Sequence, residues 1–80
     1  MLQLKEVKLL FDAGVYKEAL VTRALMQDGY NLHLIGVKKS DNTCLSSQRA
    51  SSEAKTFRSA DAAISAAKDI GFRELKFVLS

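Results

Sequence analysis

The dipeptide Asp28-Gly29 constrains this chain more than any other feature, because strand-like runs flank it at 16–26 and 30–37. Asp-Gly favours a type I′ turn, in which both central residues take positive φ. A hairpin closed by that turn sets Gln27 opposite Tyr30, Leu25 opposite Leu32, Arg23 opposite Leu34 and Val21 opposite Gly36. Val21, Leu25, Leu32 and Leu34 then share one face, while Thr22, Ala24, Asn31, His33 and Ile35 take the other. Such a pair suits a sheet with one covered side.

Periodicity leaves a competitor open. Tyr16, Ala19, Leu20, Arg23 and Ala24 also recur at helical spacing, and a helix here, following one at 3–13, would make a helix-turn-helix and a direct DNA-binding reading. The strand is favoured. Val21 and Thr22 are β-branched, and a helix would turn Val21 and Leu25 onto a second apolar face that a chain of 80 residues can hardly bury.

The flanking segments supply two helices. Over 3–13, Leu4, Val7 and Phe11 form an apolar stripe with Leu10 beside it, and Gly14 is the stop. The second helix is announced by Ser59 as N-cap and Asp61 in the first turn. Its buried stripe is Ala60, Ala63, Ile64, Ala67 and Ile70, closed by Gly71, and its alanines allow close approach to a sheet. Ser40-Asp41-Asn42 is turn material, 43–49 reads as a third strand, and 54–57 is a short extended piece anchored by Phe57. Alternation over 73–79 predicts a last strand with Leu75, Phe77 and Leu79 inward. The expected architecture is a single compact α+β domain over 1–80, of order α-β-β-β-(β)-α-β. It is an antiparallel sheet of three to five strands with both helices on one face. The open face should carry Thr22, Ala24, His33, Glu74 and Lys76.

Composition excludes several classes. Hydrophobic residues at 48% and charged residues at 26% are those of a folded domain rather than a disordered chain. The lone cysteine, Cys44, cannot form an internal disulfide or a metal cage. Met1-Leu2-Gln3-Leu4-Lys5-Glu6 brings charges early, so no signal peptide is expected, and no run approaches a membrane span. A cytoplasmic setting, with no membrane partner, is the expectation.

Charge is unevenly placed. The net +3 lies wholly in 38–58, where Lys38, Lys39, Arg49, Lys55 and Arg58 face only Asp41 and Glu53, whereas 1–37 and 59–80 each sum to zero. The segment also carries Ser40, Ser46, Ser47, Ser51 and Ser52. Lys and Arg neutralise phosphates and serine hydroxyls bond to their oxygens, so the five cations are the candidate nucleic-acid contacts. A solvated hairpin with a polar outer face explains the same residues, and +3 falls well short of a dense basic patch.

Chemistry-bearing residues are sparse. His33 has no second histidine to share a metal with, and the carboxylates are accounted for by caps, turns and solvated faces. Cys44 would gain a base only if His33 came beside it from the neighbouring strand. The four glycines stand at separate turns or a bulge instead of forming a phosphate loop. No catalytic residue, metal or cofactor is expected.

Gln48-Arg49, the run Thr56-Phe57-Arg58-Ser59-Ala60-Asp61-Ala62-Ala63, Gly71-Phe72 and the earlier Phe11-Asp12-Ala13-Gly14 together give the chain a family likeness. It resembles small accessory proteins of bacterial plasmids and integrative elements, including the ParC family of partition-associated proteins. That resemblance implies a mobile-element protein working beside partition or transfer components, with no active-site residues to carry over. Two functions follow as expectations. One is a non-enzymatic accessory module binding another protein or a copy of itself. The alternative is a weak, sequence-nonspecific nucleic-acid binder using 38–58.

Overall fold

The computed structural model describes residues 1–24, 28–47 and 53–78. Helix α1 (Leu4–Asp12) is followed by strands β1 (Tyr16–Arg23) and β2 (Tyr30–Gly36). A 3-10 turn at Lys39–Asp41, strand β3 (Thr43–Cys44), helix α2 (Ala60–Ile70) and strand β4 (Lys76–Val78) complete the order. The fold is α+β, with two helices and one four-stranded sheet of order β3-β2-β1-β4. The strand reading of 16–23 holds, so the helix-turn-helix is set aside.

Both helix boundaries follow their capping chemistry. The chain leaves α1 through Gly14 at φ 80, whose N–H bonds to the Phe11 carbonyl at 2.9 Å. Ser59 Oγ accepts from the Ala62 amide at 3.2 Å, satisfying one of the four amides a helix start leaves unbonded. At the other end of α2, Gly71 takes φ 129 and its missing side chain gives room to a ring. A β-carbon there would stand 2.5 Å from Phe11 Cε1. Phe11 instead meets Phe72 edge-on, with ring centroids 4.7 Å apart, and this contact joins the two helix ends.

One cluster forms the core. Ala19, Val21, Leu32 and Leu34 on the covered face of the sheet lie against Ala63, Ala67 and Ile70 of α2 and Val7 of α1. Leu45 and Phe57 close its sides. Ile64 and Ala60, read from sequence as part of the α2 stripe, are half-buried.

The hairpin register differs from the expected one. Arg23 pairs with Tyr30, Val21 with Leu32 and Ala19 with Leu34, not Arg23 with Leu34 or Val21 with Gly36. The pairings expected for Leu25 and Gln27 lie outside the described residues. The physical reason is the neighbour on the far side of β2. Tyr30 donates to the Phe57 carbonyl at 2.9 Å and accepts from the Phe57 amide at 2.8 Å, which makes Tyr30 a paired strand residue. Gly29 lies so close to that carbonyl that a β-carbon would stand 2.6 Å from it. Asp28-Gly29 thus serves a backbone approach, and the loop is longer than two residues. The faces survive the change because the slip is by an even number of residues.

Three further expectations are corrected. The sheet is mixed: β4 runs parallel to β1, pairing Leu20 with Lys76 and Thr22 with Val78. α2 carries the chain back along the sheet, so the next strand enters from the same end as β1. The third strand is shorter than 43–49: Leu45 still donates to the Leu32 carbonyl at 2.9 Å, but Leu45 and Ser46 also bridge to Leu2 and Ala54, and the ladder with β2 ends there; Arg49 and its neighbours lie outside the described residues. The last strand is also short and exposed. Phe77, expected inward, is 41% exposed in an edge strand, whereas Leu75 before it packs against the core as expected. Leu79 lies outside the described residues.

Candidate functional site

Three surfaces gather the side chains that could carry function. The first is the open face of the sheet, where Leu20, Thr22, His33, Ile35, Thr43 and Cys44 line a shallow groove. Thr22 Oγ1 and His33 Nε2 are 3.0 Å apart, so the cross-strand neighbours expected on this face do meet. Lys76 extends the face beside Leu20 and forms an ion pair with Glu18 at 3.4 Å.

His33 and Cys44 are register partners on β2 and β3, which is the juxtaposition a Cys–His nucleophile would need. The electrostatics oppose it. Burial lowers the His33 pKa from its ordinary 6.5, and burial raises that of the Cys44 thiol, with the N-terminal charge acting weakly the other way. A thiolate–imidazolium pair requires both shifts to be reversed. The polar contacts agree, since the imidazole is engaged by Thr22 and the thiol faces the Leu45 carbonyl at 3.7 Å. Among the described residues, no group of three or more His, Cys, Asp or Glu side chains could hold a metal ion.

The second surface holds the cations. Lys38 and Lys39 are exposed at the turn that follows Gly36, whereas Lys55 and Arg58 are exposed where Phe57 pairs with Tyr30, at the opposite end of β2. Those ends are six residue steps apart, about 20 Å. The four described members of the five expected cations therefore fall into two separate pairs, and Arg49 lies outside the described residues. Sequence counting missed Arg23. It belongs to the charge-neutral first half of the chain, but its pairing with Tyr30 places it in a notch with Arg58, lined also by Ala24, Asp28 and Gly29.

The third surface is the free edge of β4. At the other edge, Leu2 bridges in parallel to Leu45 and Ser46 bridges to Ala54, so β3 is continued by chain on its outer side. Among the described residues β4 has β1 as its one strand neighbour, and Phe77 and Val78 are 41% and 37% exposed. No helix among the described residues is long and apolar enough to cross a membrane.

The class these observations define is a small α+β domain with a mixed four-stranded sheet. No protein-family model, curated protein or solved structure matches the chain.

Proposed function

We propose that this chain is a non-enzymatic protein-interaction module that docks through the outer edge of β4, and that its partner is a second copy of itself. The observation that carries this reading is an edge strand with two exposed apolar side chains, Phe77 and Val78. Sheet edges present unpaired amides and carbonyls, and proteins commonly guard them with lysine. Here the one lysine of the strand, Lys76, forms an exposed ion pair with Glu18, which offsets its charge in part. Lys76 is then a weaker guard of this edge than a lone lysine would be.

Antiparallel pairing of two copies about Phe77 places the two rings side by side on the helix-bearing face, and sets Val78 opposite Lys76 of the copy on the other. Such an interface is isologous and closes as a dimer. The setting we attach to it is the one the sequence resemblance implies: cytoplasmic, beside partition or transfer components of a mobile element. Sedimentation equilibrium tests the reading. The wild type should dimerise with a Kd on the order of 100 μM or tighter. Phe77→Lys should be monomeric while keeping its helical circular dichroism. A wild type that stays monomeric at roughly 500 μM, a concentration at which such a dimer would predominate, refutes the proposal.

A second reading, nucleic-acid binding, is favoured by the cations around Tyr30, which have no carboxylate partner among the described residues. It draws on Lys55 and Arg58 of the basic segment more than on Lys38 and Lys39, which stand at the far end of the strand.

A further inference from the structure

We infer that the notch between Arg23 and Arg58 is a binding site for a phosphodiester group of single-stranded nucleic acid. Two guanidinium groups from distant parts of the chain line one concavity of about 320 Å³ beside Tyr30. Among the described residues, the ion pair within hydrogen-bonding range joins Lys76 to Glu18, and neither arginine has a carboxylate partner. Arginine presents a planar fork of donors that matches phosphate oxygens, and the one concavity offers two such forks.

The local charge selects the kind of phosphate. Asp28 stands on the same rim, so two arginines and one aspartate leave a local excess of one positive charge. That balance suits a diester with a single negative charge. A phosphomonoester, with a charge near −2 at neutral pH, would exceed that balance and be repelled more strongly by Asp28 than a diester would.

The surroundings extend the site along a chain. Lys55 lies on the segment that leads to Arg58, with its ammonium 5.5 Å from the centre of the Phe57 ring. Asn31 Nδ2 donates to the Lys55 carbonyl at 2.9 Å and fixes this segment against β2. The Phe57–Tyr30 backbone pair then holds Arg58 beside Arg23. The result is three cations from β1 and the 55–58 segment, gathered at one end of the sheet on anchored backbone. Consecutive phosphates of a strand present charge in such a series, whereas an isolated anion would use one position only.

The test is fluorescence polarisation with a labelled twelve-nucleotide oligothymidylate at low salt. The expected Kd lies within the ordinary range of non-specific binding, about 10⁻⁴ to 10⁻⁶ M, with a log–log salt slope near −2 for three neutralised phosphates. Arg23→Gln and Arg58→Gln should each weaken binding by about fivefold or more and reduce the slope by roughly 0.7. Lys38→Gln with Lys39→Gln should change it less than about twofold, since those side chains stand about 20 Å from the notch. Asp28→Asn should tighten it. These substitutions are at exposed positions, and thermal melts confirm that each variant is folded.

Absence of wild-type binding near 100 μM, the weak end of non-specific affinities, overturns the inference. So does equal weakening by the Lys38/Lys39 and the arginine variants, which would mean diffuse attraction without a site. A phosphoserine peptide or inorganic phosphate that displaces the oligonucleotide at lower concentration than unlabelled oligothymidylate would overturn the choice of a diester. The site lies off the β4 edge, so its failure and that of the dimer are read in separate experiments.

Discussion

Replacing Gly29 by asparagine separates the two roles that Asp28-Gly29 could have. In a two-residue type I′ turn the position needs only positive φ, and asparagine is well tolerated there. In this structure Gly29 also faces backbone, for a β-carbon would stand 2.6 Å from the Phe57 carbonyl oxygen and 2.6 Å from Thr56 Cγ2. That oxygen accepts from Tyr30 at 2.9 Å, so it cannot retreat without loosening the strand pair. Positive φ of 125 in a residue with a side chain adds strain of about 1–3 kcal/mol, and the steric conflict adds about 1–3 kcal/mol more. Gly29→Asn should therefore cost about 3 kcal/mol. For 80 residues at about 0.05–0.15 kcal/mol each, the whole stability is only about 4–12 kcal/mol. Gly14 is the control, since φ is 80 there and nothing lies within 4 Å of an added β-carbon. Gly14→Asn should cost about 0.5 kcal/mol, as asparagine visits the left-handed region readily. Urea unfolding measures both, with midpoints displaced by about 3 M and about 0.5 M for a slope near 1 kcal/mol per M. Indistinguishable midpoints for the two variants would refute the close approach and restore the tight turn.

Two further outcomes follow from single contacts. Ser59→Ala removes the oxygen that receives the Ala62 amide and should destabilise the domain by about 1 kcal/mol in urea unfolding, with Ser59→Asp largely restoring it. His33 is held below its ordinary pKa by burial, so the unfolded chain binds the proton more readily. Its contribution to stability is therefore full above the unfolded value of 6.5 and is lost as the pH falls below it. Melting temperatures from pH 7.5 down to pH 5 should fall less steeply in His33→Gln than in the wild type.

Local signals made the helices legible. Leu4, Val7 and Phe11 define a face by spacing, and Ser59, Asp61 and Gly71 mark boundaries through hydrogen bonds made within a few residues. The two faces of the β1–β2 pair were legible for a similar reason, since alternation survives any even slip of register. The register itself was not, because it depends on Phe57, a residue 27 positions beyond Tyr30 whose backbone occupies the far side of β2. The last strand misled through its own regularity. Leu75 does pack against the core, as its place in the alternation implies, but Phe77 two residues on lies in the edge strand and is 41% exposed. A parallel partner for β1 was equally invisible, because the direction of β4 is set by the path of α2 across the sheet.

Charge shows most clearly why a count along the chain differs from a count in space. The basic segment 38–58 runs back along β2 through β3 to the pairing of Phe57 with Tyr30, which sets Lys55 and Arg58 at the Tyr30 end of β2 and leaves Lys38 and Lys39 beyond Gly36. Arg23, balanced by the acids of its own segment when charge is counted along the chain, is brought by the pairing of β1 with β2 to a notch that Arg58 and Asp28 share. The two proposed contacts are compatible because the strand order separates them. Phe57 approaches from the β3 side of β2, while a second copy would add to β4 on the opposite side of β1. A dimer formed through β4 would carry two notches, and its twofold axis, perpendicular to the sheet, would set them at opposite ends of the enlarged sheet. A single strand that reached both would gain from the second contact without any new residue, since the first binding event raises the effective concentration for the second.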